Sequence, residues 1–301
     1  MPGLMLLDTP SLYFRAYYGV PESMTAPDGM PVNAVRGLID MIATLVRANS
    51  PDEIVACMDA DWRPAFRVAA IPSYKAHRVA TGHEEEIPDT LSPQVPVIEQ
   101  VLDAVGIARV GVEGYEADDV IGTYATRAPG EVEIVTGDRD LFQLVNDDQP
   151  CRVLYTIKGI RNLQVIDEAG VTSRYGIPGR AYADFATLRG DPSDGLPGVP
   201  GVGDKTAAAL ITRFGSLRAI LDALDGGVTD GFPAGSRLKL GKARDYLAVA
   251  PAVVKVAGDA PLPDVAIARP TGARDPEALV TLADRYGLDG PLNRLLAVLA
   301  P

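Results

Sequence analysis

The sequence GYEADDVIG at residues 114–122 is followed by VEIVTGDRD at residues 132–140. Acidic side chains stand at the two places where this stretch should turn from strand or loop into helix: Glu116, Asp118, Asp119, Asp138 and Asp140. If both groups lie on one side of a sheet they repel, by roughly 4 kcal/mol for two charges about 4 Å apart at an effective dielectric near 20. Mg²⁺ or Mn²⁺ with oxygen ligands is the natural counter-charge. Capping of two helices by acids is the simpler alternative.

Strand-like apolar runs elsewhere also lead into an acid. Residues 4–7 precede Asp8, and residues 54–58 precede Asp59. Helix-like segments alternate with these runs, which predicts an α/β fold with a mostly parallel central sheet flanked by helices. Sites in open α/β sheets lie beyond the carboxyl ends of the strands. Independent helix caps explain each acidic group but not their coincidence, so a metal site is favoured.

Composition limits the class of protein. The chain has 301 residues, 47% of them hydrophobic and 23% charged, as is usual for a folded soluble protein. Its net charge of −12 taken alone argues against a nucleic-acid partner, unless many of the acids are ligands. The spacing of Cys57 and Cys151 matches no metal-binding or redox motif. We therefore expect both to be reduced thiols in the core of a cytoplasmic protein. No apolar run approaches the ~20 residues of a membrane span, so no membrane role is expected.

Residues 63–93 form a connection far longer than the usual 2 to 6 residues or so between elements of an α/β unit. It is basic at first, with Arg67, Lys75 and Arg78, and turns acidic at residues 84–86. One interpretation is a solvated surface loop. The other is a mobile, partly helical gate above the carboxylates that holds a phosphate backbone.

Residues 190–206 are the stretch richest in glycine and proline. They fail the P-loop pattern because Asp204 interrupts the glycines before Lys205 and no strand leads in. Helices at 178–188 and 204–214 joined by a glycine hairpin fit better, and a DNA phosphate is a good ligand for such a hairpin.

Two later segments complete the chain. Residues 237–244 are basic, and a DNA contact and a solvated helix face are equally good interpretations of them. Residues 276–299 are predicted to be helical from their apolar spacing.

Taken in order, these motifs resemble the 5′-nuclease family, which comprises the 5′→3′ exonuclease domain of bacterial DNA polymerase I and the related flap endonucleases. The resemblance covers essentially the whole chain. It is carried by SLYFRAY at 11–17, FR at 66–67, YKAHR at 74–78, EADDVIG at 116–122, TGDRD at 136–140, GDPSD at 190–194 and PGVPGVGDKTA at 197–207. It implies a PIN-like or resolvase-like nuclease core with a helical gate and a helix-hairpin-helix DNA-binding subdomain.

The resemblance also implies a site. The metal-binding carboxylates would be Asp8, Asp59, Glu116, Asp118, Asp119, Asp138, Asp140, Asp191 and Asp194. Lys75 and Arg78 match the basic residues that contact the scissile phosphate, with Arg67 as an auxiliary. The DNA-binding residues would be Tyr74, Gly198, Val199, Gly201, Gly203, Lys205 and Thr206. Two or more Mg²⁺ or Mn²⁺ ions are the expected cofactors, with K⁺ at the hairpin.

The expected domains are a core over 1–175 with its gate at about 63–93, a hairpin subdomain over 176–260, and a C-terminal tail over 261–301 that packs back on the body. We expect a stand-alone, structure-specific 5′ nuclease of replication and repair, combining flap endonuclease and 5′→3′ exonuclease activity. Its substrates would be DNA with 5′ flaps, nicks or free 5′ ends, with RNA/DNA hybrids kept as candidates. The protein would be a monomer in the bacterial cytoplasm, associated with the nucleoid.

Two departures from the family pattern concern loops. Thr9 and Pro10 follow Asp8 where relatives usually have Gly and a small residue, and the link from Asp59 to Phe66 is one residue longer. Three other functions remain alternatives: a nuclease-like fold that only binds branched DNA, a PIN-type ribonuclease toxin, and an acidic metabolic enzyme.

Overall fold

The computed structural model describes residues 3–82 and 84–300. In this part of the chain the strands are β1 (Leu4–Asp8), β2 (Glu53–Cys57), β3 (Val79–Thr81), β4 (Glu84–Glu85), β5 (Ala108–Val110), β6 (Val132–Thr136), β7 (Cys151–Tyr155) and β8 (Gln164–Ile166). One sheet has the order β5-β2-β1-β6-β7-β8, while β3 and β4 pair separately. Its strands are parallel from β5 to β7, and β8 runs antiparallel to β7. The prediction of a mostly parallel sheet is confirmed.

Helices follow most of the strands. They are α1 (Thr9–Gly19), α2 (Asn33–Asn49), α3 (Ala65–Ala70), α4 (Val95–Val105), α5 (Ala117–Arg127), α6 (Glu168–Tyr175), α7 (Tyr182–Arg189), α8 (Asp204–Phe214), α9 (Leu217–Asp225), α10 (Ser236–Lys242), α11 (Arg244–Val249), α12 (Pro251–Val254), α13 (Pro276–Tyr286) and α14 (Asp289–Leu299). None of these described helices is long and apolar enough to cross a bilayer.

The apolar run of β1 is explained by burial on both faces of the sheet. Leu4 and Leu6 point to one face and Met5 and Leu7 to the other, because side chains alternate along a strand. The helix α5 packs on the first face, and the hydrophobic core there continues into α6 to α12. The core on the second face includes residues of α1, α2, α4, α13 and α14. Strands buried on both faces are typical of a parallel sheet.

The order of the strands places a switch point between β1 and β6. From β1 the chain moves outwards to β2 and β5, and it then returns through α5 to β6 on the other side of β1. Ligands in open α/β sheets bind at such a point, beyond the carboxyl ends of the strands. Asp8 at the end of β1 and Asp138 just after β6 are therefore neighbours.

The C-terminal part of the chain lies along the sheet before it forms its helices. The backbone N–H of Ile54 donates to the carbonyl oxygen of Ile267 at 2.9 Å, and that of Arg269 donates to the carbonyl of Asp52 at 2.8 Å. Further on, α13 packs on α4 and α14 packs on α2. The division into three domains stays a prediction, since the core on the first face of the sheet continues without a break into the hairpin region.

The segment 63–93, predicted as a partly helical gate, contains a short α-helix, α3. Among residues 63–82 and 84–93, only α3 is α-helical, and the other described residues form short 3-10 turns, the β3–β4 ladder and loops. Pro72 prevents α3 from continuing, because proline lacks the N–H group and clashes with the preceding turn.

Candidate active site

A cavity of about 410 Å³ opens beyond the carboxyl ends of β1, β2 and β6. Eight of the nine predicted metal ligands line it: Asp8, Asp59, Glu116, Asp118, Asp138, Asp140, Asp191 and Asp194. Lys75 and Arg78 line it as well. The fold thus brings acids from distant parts of the chain together with two cations from the gate segment.

A series of hydrogen bonds fixes the acids at the switch point. Asp8 caps α1 by accepting from the backbone N–H of Ser11 at 3.2 Å, and it also accepts from the hydroxyl of Thr136. The same hydroxyl accepts from the backbone N–H of Asp138 at 2.8 Å, and Asp138 accepts in turn from that of Asp140 at 2.8 Å. Asp8 therefore both caps α1 and takes part in forming the site, and the hydrogen bonds through Thr136 fix Asp138 beside it.

Glu116 is held from the gate segment. Its carboxylate accepts hydrogen bonds from Lys75 Nζ at 2.7 Å and from the hydroxyl of Tyr74 at 2.8 Å. Lys75 has φ +47°, a conformation that is uncommon for residues other than glycine, and its backbone N–H donates to the carbonyl of Asp194 at 2.9 Å. Such strain persists only where the surroundings enforce it, so Lys75 is built rigidly into the site.

The base of the gate segment rests on the loop that leads to the hairpin. Arg78 donates to Asp194 and to the carbonyl of Ser193, both at 2.7 Å. Asp191, in the same loop, accepts from Arg139 at 2.7 Å. The acids of this loop are thus neutralised in part by arginines.

The acids nearer the sheet have too little counter-charge. Burial, opposed by the hydrogen bond from Thr136 and assisted by the charges of Asp138 and Asp59, raises the pKa of Asp8 to about 7. Burial also raises the pKa of Glu116 to about 7, although Lys75 and Arg67 lower it. The carboxylates repel one another where water cannot screen them.

The pKa values of three further acids follow the same pattern. Burial, followed by neighbouring carboxylates, raises the pKa of Asp118 and of Asp140 well above the usual range. Burial alone would raise the pKa of Asp191, but hydrogen bonds from Ser193 and Arg139 lower it below its ordinary value. The unpaired charge is therefore concentrated at the switch point.

The donor chemistry of this cavity fits a divalent cation. Asp140 Oδ1 is buried without a hydrogen-bond partner, which is unfavourable for an ionised oxygen unless a cation binds it. Within residues 3–82 and 84–300, no three His, Cys, Asp or Glu side chains stand in an arrangement that would hold an ion as they are. The donors around the cavity are nevertheless carboxylate oxygens, which hard cations such as Mg²⁺ and Mn²⁺ prefer.

Asp119, Arg67 and Tyr74 do not line the cavity, and their roles in binding metal or DNA stay predictions. Asp119 is 0% exposed, and its two oxygens accept from Arg67 at 2.8 and 2.7 Å and from the backbone N–H of Ala257 at 2.8 Å. Arg67 is 2% exposed and Tyr74 is 3% exposed. All three are buried and contact Glu116, so they hold this residue in place.

The predicted hairpin residues divide into an interior and an exposed set. Gly198 and Val199 are buried, and a Cβ at Gly198 would lie 2.4 Å from the carbonyl oxygen of Arg189. The close crossing of the chain on itself therefore requires this glycine. The exposed residues at the tip are Gly201, Gly203 and Lys205, with Thr206 half-buried.

Sequence reasoning missed several residues that line the cavity. These are Pro10, Ser11, Phe14, Trp62, Glu85, Ala117, Gly137, Arg139, Tyr155 and Ser193. Trp62 carried a usable signal, because it is the only tryptophan of the chain and stands in the lengthened link after Asp59. Six of the others lie within the motifs that carry the family resemblance but were not singled out as site residues: Ser11, Phe14, Ala117, Gly137, Arg139 and Ser193. Nothing in the sequence alone distinguished Pro10, Glu85 and Tyr155 from ordinary loop and core residues.

Comparison with known proteins agrees with this geometry. Residues 3–176 match the model of the 5′-3′ exonuclease N-terminal resolvase-like domain, and residues 177–273 match that of the 5′-3′ exonuclease C-terminal SAM fold. The chain belongs to the 5′-3′ exonuclease family. A "5′-3′ exonuclease" of Streptomyces coelicolor is 62% identical over 98% of this chain and 99% of that protein. One of Mycobacterium tuberculosis is 51% identical over 97% of this chain and 96% of that protein.

A solved structure shares the fold of this 5′-3′ exonuclease family member. It is a flap endonuclease of bacteriophage T5 in a pseudo-enzyme-product complex with DNA and metal ions, with a TM-score of 0.66 and 16% identity over 99% of both chains. The predicted family and nuclease class are confirmed. The chain is a 5′→3′ nuclease with a resolvase-like α/β core followed by a SAM-like helical region.

Proposed function

We propose that this family member is a structure-specific 5′ nuclease that hydrolyses phosphodiester bonds in DNA with two or more Mg²⁺ or Mn²⁺ ions. The observation that carries the proposal is the single cavity in which eight carboxylates face Lys75 and Arg78. Carboxylates alone would repel DNA, and the two cations alone would bind phosphate without cutting it. Bound ions at the acids would supply a water nucleophile and stabilise the leaving oxygen.

The residues of the chain have separate tasks in this proposal. Asp8, Asp118, Asp138 and Asp140 hold the ions, because they have the least counter-charge of their own. Lys75 now pairs with Glu116 at 2.7 Å, so a cation bound by Glu116 would release the ammonium group to the scissile phosphate. A fixed positive group at that phosphate stabilises the charge that develops during hydrolysis.

The hairpin region would bind the duplex next to the cut. Gly201, Gly203 and Lys205 are exposed together, and glycine lets a phosphate approach the backbone closely. The same proposal includes four further points. K⁺ binds at this hairpin, RNA/DNA hybrids are also substrates, the protein is a monomer, and it is associated with the nucleoid. The division into a core at 1–175, a hairpin subdomain at 176–260 and a tail at 261–301 also belongs to the proposal.

The flap endonuclease of bacteriophage T5 supports the choice of substrate, since it was solved with DNA and metal ions. Single-turnover cleavage of an end-labelled 5′-flap duplex in Mg²⁺ tests the proposal. We expect release of the flap by the wild type and at least about a thousandfold loss in Asp138→Asn, since several kcal/mol of stabilisation come from the ions. Glu22→Gln, an exposed acid outside the cavity, should cut at the wild-type rate.

Each rival function has its own outcome in this assay. Tight flap binding without any product in Mg²⁺ or Mn²⁺ would favour a protein that only binds branched DNA. Faster cleavage of a matched RNA flap would favour a ribonuclease. No affinity for any nucleic acid would exclude the proposal altogether.

A further inference from the structure

Trp62 has no role in the metal chemistry, yet it lies on the wall of the cavity beside Asp59 and Lys75. It is the only tryptophan in the chain, and it is partly exposed. An indole neither ligates a hard cation nor neutralises a phosphate. Its flat aromatic surface does match that of a nucleobase, since stacking on aromatic side chains is a general way to hold unpaired bases.

The backbone around Trp62 is fixed on both sides. The carbonyl oxygen of Trp62 accepts from Lys75 Nζ at 3.3 Å. The next residue, Arg63, donates to the carbonyl of Tyr74 at 2.6 Å and to that of Pro72 at 2.9 Å. The backbone N–H of Asp61 donates to the carbonyl of Tyr115 at 3.1 Å. Trp62 is thus carried by a loop that is tied to the segment bearing Lys75 and to the start of α5.

The size of the cavity explains why a stacking residue would be useful there. A volume of about 410 Å³ is that of a small-molecule site and does not admit a base-paired duplex. A phosphate held by Lys75 and Arg78 would bring the adjoining nucleotide to the wall of this cavity, and its base could enter only after leaving the duplex stack. Extraction of a nucleotide is unfavourable unless the protein offers the base a new stacking partner.

We propose that Trp62 stacks on the nucleobase of one of the two nucleotides that share the phosphate held by Lys75 and Arg78. This inference rests on the proposed nuclease function and adds a substrate contact to it. Trp62 thereby favours substrates whose base at this position is unpaired or easily unpaired. The stacking is independent of sequence, because every base has a flat aromatic face.

Fluorescence gives a direct test, because Trp62 is the only indole in the chain. The wild-type protein is titrated with 5′-flap DNA in Ca²⁺, using the intact flap and flaps with an abasic residue on either side of the scissile phosphate. We expect the intact flap to quench the emission. One abasic flap should fail to quench and should bind about tenfold more weakly. Equal quenching and equal affinity for all three substrates would overturn the inference.

Variants separate stacking from general damage to the site. Trp62→Phe keeps an aromatic surface and should bind the intact flap within about threefold of the wild type, whereas Trp62→Leu should lose about tenfold. On the sensitive abasic flap, Trp62→Leu and wild type should bind equally, because the stacking partner is already absent. Tyr18→Leu, an exposed aromatic outside the cavity, should bind all substrates like the wild type.

The two proposals fail in different ways. If Trp62→Leu weakens binding by the same factor on intact and abasic flaps, Trp62 acts only through the structure of the site, and the inference is wrong. If the wild type cuts flaps and Trp62→Leu binds and cuts them equally well, the inference fails while the proposed function stands. If the wild type binds no DNA, both fail. If Trp62→Leu does not fold, the titration of the wild-type protein with intact and abasic flaps still tests whether Trp62 stacks on a base.

Discussion

The cavity and the buried cluster of Asp119, Arg67 and Tyr74 contain the same kinds of side chain. The two regions differ in counter-charge, because the cavity acids repel one another whereas Asp119 is paired with Arg67. Asp118 lines the cavity among other acids, and its pKa is raised by burial and by their charges. Asp119, the next residue, pairs with Arg67 through two hydrogen bonds and lies outside the cavity. Adjacent residues of a helix point about 100° apart, so the first turn of α5 directs one acid to the cavity and the other to the interior. The residue type in the motif therefore does not determine what each acid does. The direction in which its side chain points determines it.

The largest effect should come from Asp118→Asn, which removes a charge from the cavity. We expect the rate of flap cleavage in Mg²⁺ to fall on the order of 10⁴-fold, since a carboxylate that holds an ion contributes several kcal/mol to catalysis. Chemical denaturation should show unchanged or higher stability, because the lost charge was repelled by its neighbours. A variant that is inactive because it unfolds would remove the distinction between the two regions.

Asp119→Asn should give the opposite result. Arg67 would keep its charge in a buried position without a full partner, and loss of one member of a buried ion pair typically lowers the free energy of unfolding by about 3–5 kcal/mol. Urea titration measures this change, and the double variant Asp119→Asn, Arg67→Met should recover part of it. Full stability combined with lost Mg²⁺ binding would mean that Asp119 is a ligand after all.

Lys75, a cation of the cavity, should affect the rate of cleavage, whereas Arg67 of the buried cluster affects stability. Lys75→Met should lower kcat about 10²-fold, because the ammonium group acts on the charge that develops at the phosphate. Lys75→Arg should restore part of the rate, and Arg47→Met, at an exposed position on α2, serves as a matched control with the wild-type rate. A Lys75→Met variant with unchanged kcat and a raised KM would restrict Lys75 to ground-state binding.

A smaller effect is expected from pH in the absence of divalent ions. The folded protein holds Asp8 and Glu116 with pKa values of about 7, above their ordinary values near 4, so folding favours the protonated forms. Their contribution to stability is complete below the ordinary pKa and is lost as pH rises through about 7. Melting in EDTA should therefore show falling stability between pH 5 and about 8.

Magnesium should weaken this dependence, because bound ions stabilise the ionised carboxylates. Melting in excess Mg²⁺ should show a higher transition temperature at pH 8 than in EDTA, and little difference at pH 5. The variant Asp118→Asn should show a smaller gain from Mg²⁺, whereas Glu22→Gln should behave like the wild type. An identical pH profile with and without Mg²⁺ would contradict the assignment of these acids to a metal site.

The sequence by itself determined the elements whose information is local. The range 204–214 was predicted with the boundaries that α8 has, because a helical period after a glycine hairpin is a local pattern. The position of Asp8 and Asp59 at strand ends followed in the same way. The rule for open α/β sheets then placed these acids beside Asp138.

Only the tertiary structure decided which residues the site uses. Asp119 faces Arg67, which is 52 residues away, and the backbone of Ala257, which is 138 residues away, and no local pattern contains that pairing. The loop of Trp62 is held at the cavity wall by Lys75, which donates to the carbonyl of Trp62, and by Arg63, which donates to the carbonyl of Tyr74. Local spacing fixes where a side chain lies along an element, whereas its direction and partners depend on how distant elements pack.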